Sequence, residues 1–452
     1  MLIRWNTVDQ TPRSEAAEGR KRREEAAMIT SEQNERLTRV GPGTPMGELM
    51  RRYWQPVAAS ADLADVPVRS VRILGENLTL YRDRGGQVGL LGERCAHMGV
   101  AMVYGIPEAE GLRCCYHGWL YDSAGRCVHL GEDEMTADPT LRDRVRITAY
   151  PVQELGGLVF AYLGSDPAPL LPRWEPLVED GVRHAIGSSL LPCNWLQCLE
   201  DQAGDMHVEW MHSRFTNWVL ERMGRDDRRR TNPDYVGRSA AADFSEFERF
   251  ELGMMKRRMG AEDANPIVLP DIVIGNQIVW YVPIDDTHTW AVTYKTHHLP
   301  PGVDLPEQGT VPVFEYPLPG LDAAGRPTSG LSTWSGLDVN AGQDRMMLYS
   351  RGTIADRTRE ELGTGSKGIV LLRDVLEENM QRVERGEDPI GVIRDPAHNE
   401  RLRLYAEPVD GTTASRRATA NGTIPGSRAD SFDPVLREIR ERMAGEAAGT
   451  TV

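Results

Sequence analysis

Cys95-Ala96-His97 and Cys114-Cys115-Tyr116-His117 bring two thiols and two imidazoles into one short stretch of chain. Their pattern is C-x-H, sixteen intervening residues, then C-x2-H. Two thiolates and two neutral imidazoles hold either tetrahedral zinc or a [2Fe-2S] cluster in which two histidines replace two cysteines on one iron. The interleaving separates these chemistries. Each short loop offers one Cys and one His, so two loops side by side put both sulfurs on an inner iron and both nitrogens on an outer one. The usual zinc finger pairs C-x2-4-C with a helical H-x3-5-H, which is a different pattern. The neighbouring Cys115, together with Cys127, Cys193 and Cys198, reads as a small buried hydrophobe.

A second pair of imidazoles sits in Asp205-Met206-His207-Val208-Glu209-Trp210-Met211-His212. The spacing is H-x4-H, not the HExxH whose histidines share one helical face. Five residues of regular helix turn about 500°, which leaves the two side chains about 140° apart. Both can reach one ion only if the helix ends, kinks or bulges between them. Taken alone, the pair reads better as two ordinary polar residues.

The two Cys/His loops, extended to Cys95-Ala96-His97-Met98-Gly99 and Cys114-Cys115-Tyr116-His117-Gly118-Trp119, resemble the signature of the Rieske iron–sulfur domain. The histidine pair follows Asn194-Trp195-Leu196-Gln197-Cys198-Leu199-Glu200 and resembles the catalytic domain of the Rieske non-heme iron oxygenases. Near the start, Val40-Gly41-Pro42-Gly43-Thr44-Pro45-Met46-Gly47-Glu48-Leu49 and Arg51-Arg52-Tyr53-Trp54-Gln55-Pro56-Val57 are similar to the phthalate-dioxygenase-like branch. That branch includes ring dioxygenases and aromatic O-demethylases. The resemblance runs from Met28 to about Glu407.

The resemblance implies two metal centres. Cys95, His97, Cys114 and His117 would hold a Rieske [2Fe-2S] cluster. His207 and His212, with a downstream carboxylate, would hold a mononuclear Fe(II) whose open positions admit O2. Asn340-Ala341-Gly342-Gln343-Asp344 resembles the segment that supplies the carboxylate and singles out Asp344, with Asp338 and Asp356 as rivals, the latter also suited to cap a helix. The family's acid three residues before the first ligand histidine, which bridges toward the cluster of a neighbouring subunit, is Gly204 here. Asp205 is expected to take its place, through an irregular backbone that Gly204 would ease; Glu200 and Asp201 are the fallbacks. The implied partners are a separate flavin and iron–sulfur reductase, O2, an aromatic substrate bearing a carboxylate or methoxyl group, and further copies of the chain in a homotrimer or hexamer. No GxGxxG in the strand-to-helix setting of a dinucleotide-binding site is read, so this chain is not expected to bind NAD(P)H itself. Arg228, Arg229, Arg230 and Arg249 are candidates for a carboxylate clamp.

These groups need elements to position them. From Val71 the hydrophobic period is two: Val71, Ile73, Leu78 and Leu80, then a turn at Arg82-Asp83-Arg84-Gly85-Gly86, then Val88-Gly89-Leu90-Leu91. Short strands recur to about Tyr162, giving a small antiparallel β domain. The proline-rich 165–172 reads as a linker. Beyond it, 190–222 favours helix, and Ile278-Val279-Trp280-Tyr281-Val282 and Trp290-Ala291-Val292-Thr293-Tyr294 flank a turn at 285–288. Ile369, Leu372, Leu376, Met380 and Val383 mark one helical face that Gly386 would stop. The expected class is α+β: an N-terminal antiparallel β Rieske domain, then a catalytic domain of antiparallel sheet and surrounding helices in a helix-grip arrangement. The expected division is 1–45 lead-in, 46–165 Rieske domain, 166–406 catalytic domain and 407–452 loose tail with a short helix. Residues 1–27 show no apolar periodicity, and Met28 resembles the family's usual start.

Composition narrows the alternatives. The 452 residues carry a formal charge of −15, which opposes non-specific nucleic-acid binding. No run of about 18 apolar residues exists for a membrane span. The first residues lack the apolar stretch of a secretory signal, so the expected location is the cytoplasm. Two other functions remain open: a Rieske electron carrier whose second domain is not catalytic, and a zinc-stabilised interaction protein.

Overall fold

The structure is a computed structural model and describes residues 29–130, 138, 140–204, 207–225, 245–258, 264–275, 277–321, 334, 336–403 and 432–449. The loose-tail reading of 407–432 falls almost wholly outside them, as do residues 1–28, Asp205 and Arg228, Arg229 and Arg230.

Two capped helices lead in. In α1 (Ser31–Thr38) the Thr30 side chain accepts from Gln33 N–H while the Gln33 side chain accepts from Thr30 N–H, a reciprocal capping box. In α2 (Pro45–Met50) Thr44 caps and Pro45 opens the first turn. Three small antiparallel sheets follow. Trp54–Ala59 pairs with Leu158–Tyr162, which pairs with Val152–Leu155. Val68–Ile73, Glu76–Arg82, Val88–Gly92 and Ala149–Tyr150 form the second. Ile106–Glu108, Gly111–Arg113, Leu120–Tyr121 and Cys127–His129 form the third, a lobe with its own core of Tyr81, Leu91, Met102, Leu112, Trp119 and Tyr121. The stretch 165–172 is not a free tether. Trp54 Nε1 donates to Pro169 O at 2.9 Å, Leu170 N–H donates to Ile393 O at 2.8 Å, and Leu171 is buried.

The second half is built on an eight-stranded sheet. Its strands run in the order Ser245–Phe250, Gly253–Arg258, Ala264–Val268, Ile272–Ile274, Ile278–Asp285, His288–His298, Val182–Leu191, Val313–Glu315. All neighbours are antiparallel except the last pair, which is parallel. The hairpin 278–298 turns where Asp285 Oδ1 accepts from Thr287 N–H at 2.9 Å, an Asx turn. Its register sets Tyr281 opposite Ala291, and Ala291 is opposite Ser189 on the next strand.

Helices grip this sheet. They are α3 (Trp195–Ala203), α4 (Thr216–Arg222), α5 (Asn340–Ser350) and α6 (Lys367–Glu384). In α6 the expected stripe of Leu372, Leu376, Met380 and Val383 is buried, each side chain stabilising by about 1.5–3 kcal/mol. Gly386, at φ +78°, ends it. The lead-in belongs to this layer: Arg36 pairs with Glu377 and Glu384, and Asn194 Nδ2 donates to Thr38 O. The tail is anchored as well. In α7 (Pro434–Gly449) Val435 and Ile439 pack on Ala185, Phe314 and Tyr316, and Asp433 accepts from His297 at 2.9 Å. Among the described residues no helix is long and apolar enough to cross a membrane.

Candidate metal centres

The two Cys/His loops are near copies of one another. Cys95 N–H donates to Val100 O at 2.9 Å, and Gly99 N–H returns to Cys95 O at 2.9 Å. Cys114 N–H donates to Trp119 O at 2.8 Å, and Gly118 N–H returns to Cys114 O at 3.1 Å. Each loop needs its fifth residue in the left-handed region, with Gly99 at φ +73° and Gly118 at φ +76°. Cys95 and Cys114 are buried beside one another, whereas His97 is half-buried and His117 exposed. The two imidazoles meet edge to face at 4.5 Å, and His97 stacks on the buried Trp119 at 4.6 Å. Sulfur inside and nitrogen outside is the arrangement that the interleaved spacing requires for a [2Fe-2S] cluster, and the donor set fits that group.

Tyr121 adds a contact the sequence did not disclose. Its Oη accepts from Ala96 N–H at 3.2 Å and lies 3.2 Å from Cys95 Sγ. Because the oxygen already accepts, its hydrogen is available to a thiolate. Cys115 corrects an expectation: it is exposed, because it sits at the loop tip facing solvent. Cys127, Cys193 and Cys198 are buried, as read.

The second centre depends on a break in helical geometry. The short helix His207–Glu209 runs into a π-helix at Trp210–Phe215, where Thr216 N–H reaches back to Met211 O. An i→i+5 pattern brings residues five apart toward one face, the distortion that H-x4-H calls for. The His207 and His212 rings come to 5.2 Å, centroid to centroid. Asp344 arrives from α5, its Oδ1 3.1 Å from His212 Nε2. One donor atom from each of His207, His212 and Asp344 lies within 4.8 Å of the others. Ligand bonds of about 2.0–2.2 Å at right angles would set neighbouring donors about 3 Å apart, so the His212–Asp344 spacing fits a shared ion.

Gln343, also missed, fixes the chemistry of His212. Its Nε2 donates to Leu337 O at 2.6 Å and Thr216 Oγ1 at 2.8 Å, so its Oε1 must be the end facing His212 Nδ1 at 2.9 Å. His212 therefore carries its proton on Nδ1 and turns the Nε2 lone pair toward Asp344. The sequence signal was a Gln beside a ligand acid, which by itself names no role.

The rival carboxylates have other duties. Asp338 pairs with Arg225 at 2.7 Å. Asp356 accepts from Thr358 N–H at 3.1 Å and caps a short turn. Glu200 is buried among Arg357, Arg373 and Arg351. Burial raises it, but the three guanidiniums hold its carboxyl down at about 2. Of the acids weighed for the bridging role, Asp201 lies nearest in the described structure, 3.6 Å from His207 Nδ1, beyond hydrogen-bond range. Burial, reinforced by the charge of Asp344, pushes Asp201 up to about 7. Asp205 lies outside the described residues. The reason given for Gly204 does not hold: at φ −101° and ψ 158° it is extended backbone open to any residue. Arg249 pairs with Glu378 on the exposed face of α6 and is no clamp.

Comparison with known proteins settles the family. Residues 53–141 match the Rieske [2Fe-2S] domain, and 326–430 match the LigXa C-terminal domain like family. The 5,5'-dehydrodivanillate O-demethylase oxygenase subunit of a Sphingobium species is 39% identical over 388 residues, covering 83% of this chain and 86% of that protein. The chain belongs to the Rieske non-heme iron oxygenases. The phthalate 4,5-dioxygenase oxygenase subunit of Pseudomonas putida is 31% identical over 405 residues, covering 80% of this chain and 89% of the other. The solved NdmA structure from Pseudomonas putida CBB5 shares the fold at TM-score 0.56 and 16% identity, covering 75% of this chain and 94% of that one. This oxygenase is therefore an enzyme that incorporates O2, with a [2Fe-2S] cluster and mononuclear iron as its cofactors.

Proposed function

We propose that this oxygenase hydroxylates or oxidatively O-demethylates an aromatic carboxylate, drawing its electrons from a separate flavin and iron–sulfur reductase. The observation that carries the reading is the convergence of His207, His212 and Asp344 in a chain that also holds the four cluster ligands Cys95, His97, Cys114 and His117. An electron carrier or a zinc-stabilised protein needs only the four Cys/His ligands, not His207, His212 and Asp344 together. Bound there, the iron would supply O2 activation at the positions its protein ligands leave open. The chain's own residues do the rest. Gln343 keeps the His212 proton on Nδ1, and Tyr121 offers its hydroxyl hydrogen to Cys95 Sγ.

Relatives named for dehydrodivanillate, phthalate and phenoxybenzoate support an aromatic acid as substrate. Demethylation of an aryl methyl ether consumes one O2, two electrons and two protons, and releases the phenol, formaldehyde and water. A carbazole dioxygenase neighbour is an oxygenase solved with its ferredoxin, which supports an external electron donor here. Exposed Met98, Tyr104 and Tyr116 around the cluster loops, and exposed Trp210 and Trp218 beside the histidine pair, support a homotrimer or hexamer in which the two centres of neighbouring copies meet. The absence of disulfides among the six cysteines supports a cytoplasmic location. The working division is 46–165 for the Rieske domain and 166–406 for the catalytic domain, with Asp205 and Asp201 as candidates for the acid between the centres. The test is a screen of methoxylated and carboxylated aromatics with a surrogate reductase, following O2 uptake, formaldehyde and product mass. Substrate-dependent O2 uptake with an oxygenated or demethylated product is expected. No uptake with any aromatic acid would contradict the proposal.

A further inference from the structure

Arg345 follows Asp344 on α5, so its side chain leaves the helix about 100° away from its neighbour's. It runs onto the sheet. Nε donates to Ser189 Oγ at 2.8 Å, Nη1 donates to Ala341 O at 2.7 Å, and the guanidinium lies 4.3 Å from the centre of the Tyr316 ring. The residue is 8% exposed, yet among the described residues no carboxylate lies within ion-pair distance of it and Nη2 donates to nothing. Arg51, Arg357 and Arg373 are comparably buried, and each rests on a glutamate. The nearest acid along the helix, Asp344, faces His212 instead. A buried cation without an anion is costly, and a site that keeps one has a use for it.

Strand register defines the sheet face beneath Arg345. Tyr281, Ala291 and Ser189 stand directly opposite one another on three adjacent strands, so their side chains share one face of the sheet. Gly187 lies two residues from Ser189 on that face, where a Cβ would come within 2.4 Å of the Tyr316 ring. The Tyr316 ring therefore lies over Gly187, and Ser189 and Ala291 are the small residues beside it. Tyr281 lies near Arg345, Asp344 and Asp201 together, so this face of the sheet and the iron site adjoin.

We propose that Arg345 selects the carboxylate of the aromatic substrate, which takes the free Nη2. This rests on the oxygenase reading and adds to it the residue that decides which aromatics are accepted. The guanidinium is held by Ser189 and Ala341 before any substrate arrives, so little side-chain freedom is lost on binding.

The experiment uses the holoenzyme with 3-methoxybenzoate and its uncharged isostere 3-methoxybenzamide, binding measured by calorimetry on the wild type, Arg345→Gln and Arg345→Lys. Cluster absorbance and iron content check that each variant is intact. The wild type should bind the acid at least about tenfold more tightly than the amide, the scale of a charge-assisted contact. Arg345→Gln should weaken the acid about tenfold and leave the amide nearly unchanged. Arg345→Lys keeps the charge but not the fork and should lower the acid-to-amide ratio less; it carries the test if Arg345→Gln loses its metals. Equal wild-type binding of acid and amide, binding of neither, or an unchanged ratio in the intact variants would overturn the proposal. O2 uptake separates it from the reading beneath: selective binding of the acid without turnover of any aromatic acid would leave the clamp standing and the oxygenase reading fallen, and turnover of the amide as fast as the acid would do the reverse.

Discussion

The two metal centres are built by opposite means. The cluster loops are local. Each holds its own Cys and His, closes itself with two backbone hydrogen bonds, and presents its imidazole to the surface. The iron site is assembled across the catalytic domain, with two histidines on a π-distorted helix and a carboxylate from α5. His212 depends further on a buried glutamine that itself depends on Leu337 and Thr216. A self-contained loop tolerates change elsewhere, whereas an assembled site inherits every perturbation of the elements that meet in it. Damage to the second centre should therefore leave the first intact.

The largest expected effect follows from Asp344→Ala. Two histidines alone hold iron weakly, so O2 uptake should vanish while the cluster spectrum is unchanged. Asp338→Ala is the control, since it loses only the ion pair with Arg225. Iron loss in Asp338→Ala with retention in Asp344→Ala would mean the wrong carboxylate has been named. Next, Gln343→Leu should weaken iron binding about 10–100-fold, the usual range for loss of a partner that orients a ligand histidine. Chelator competition on the purified variant measures this, and wild-type retention would show that the Gln343 contact is idle.

Tyr121→Phe addresses the cluster side. A hydrogen bond to a ligand sulfur favours the more negative, reduced state, so removing it should lower the cluster's midpoint potential in a redox titration without changing iron content. An unmoved potential would remove Tyr121 from the account. The smallest effect lies away from both centres. Asp271 is fully buried near Gln55, and burial pushes it up to about 8. Its folded-state pKa exceeds the unfolded value of about 3.9, so the folded protein holds the proton longer and stability falls as pH rises from about 4 to about 8. Asp271→Asn should therefore raise the melting temperature more at pH 8 than at pH 5. An equal shift at both would mean that Asp271 does not titrate this way.

Legibility followed the same division. The cluster site could be read because its four ligands come in two contiguous patterns and because buried sulfur and outer nitrogen follow from their order. H-x4-H announced a distortion, since regular helical geometry forbids the pair, and the π-helix supplies it. Contacts across the fold were less visible. Arg249, named as a possible clamp, points to Glu378, while Arg345 looked like one more residue on α5 until the register placed Ser189 beneath it. Glu200 read as a spare acid near the histidines, yet it pairs with three arginines that converge from distant positions. Gly204 was given a conformational purpose that its extended backbone does not need. The hydrophobic periods of α6 and of the hairpin 278–298 were strong enough to survive unaided. The parallel pairing of Val313–Glu315 with Val182–Leu191 was not, because a three-residue edge strand carries no usable period.

The central claim is that one chain carries two separable metal centres, and an iron count on purified His207→Ala beside the wild type tests it most directly. With a [2Fe-2S] cluster and one mononuclear ion, the wild type should hold about three irons per chain. His207→Ala should keep about two, together with the full cluster absorbance and reduced-state electron paramagnetic resonance signal, and should lose turnover. A variant that retained three irons and wild-type turnover, or that lost the cluster signal along with the third iron, would contradict the account.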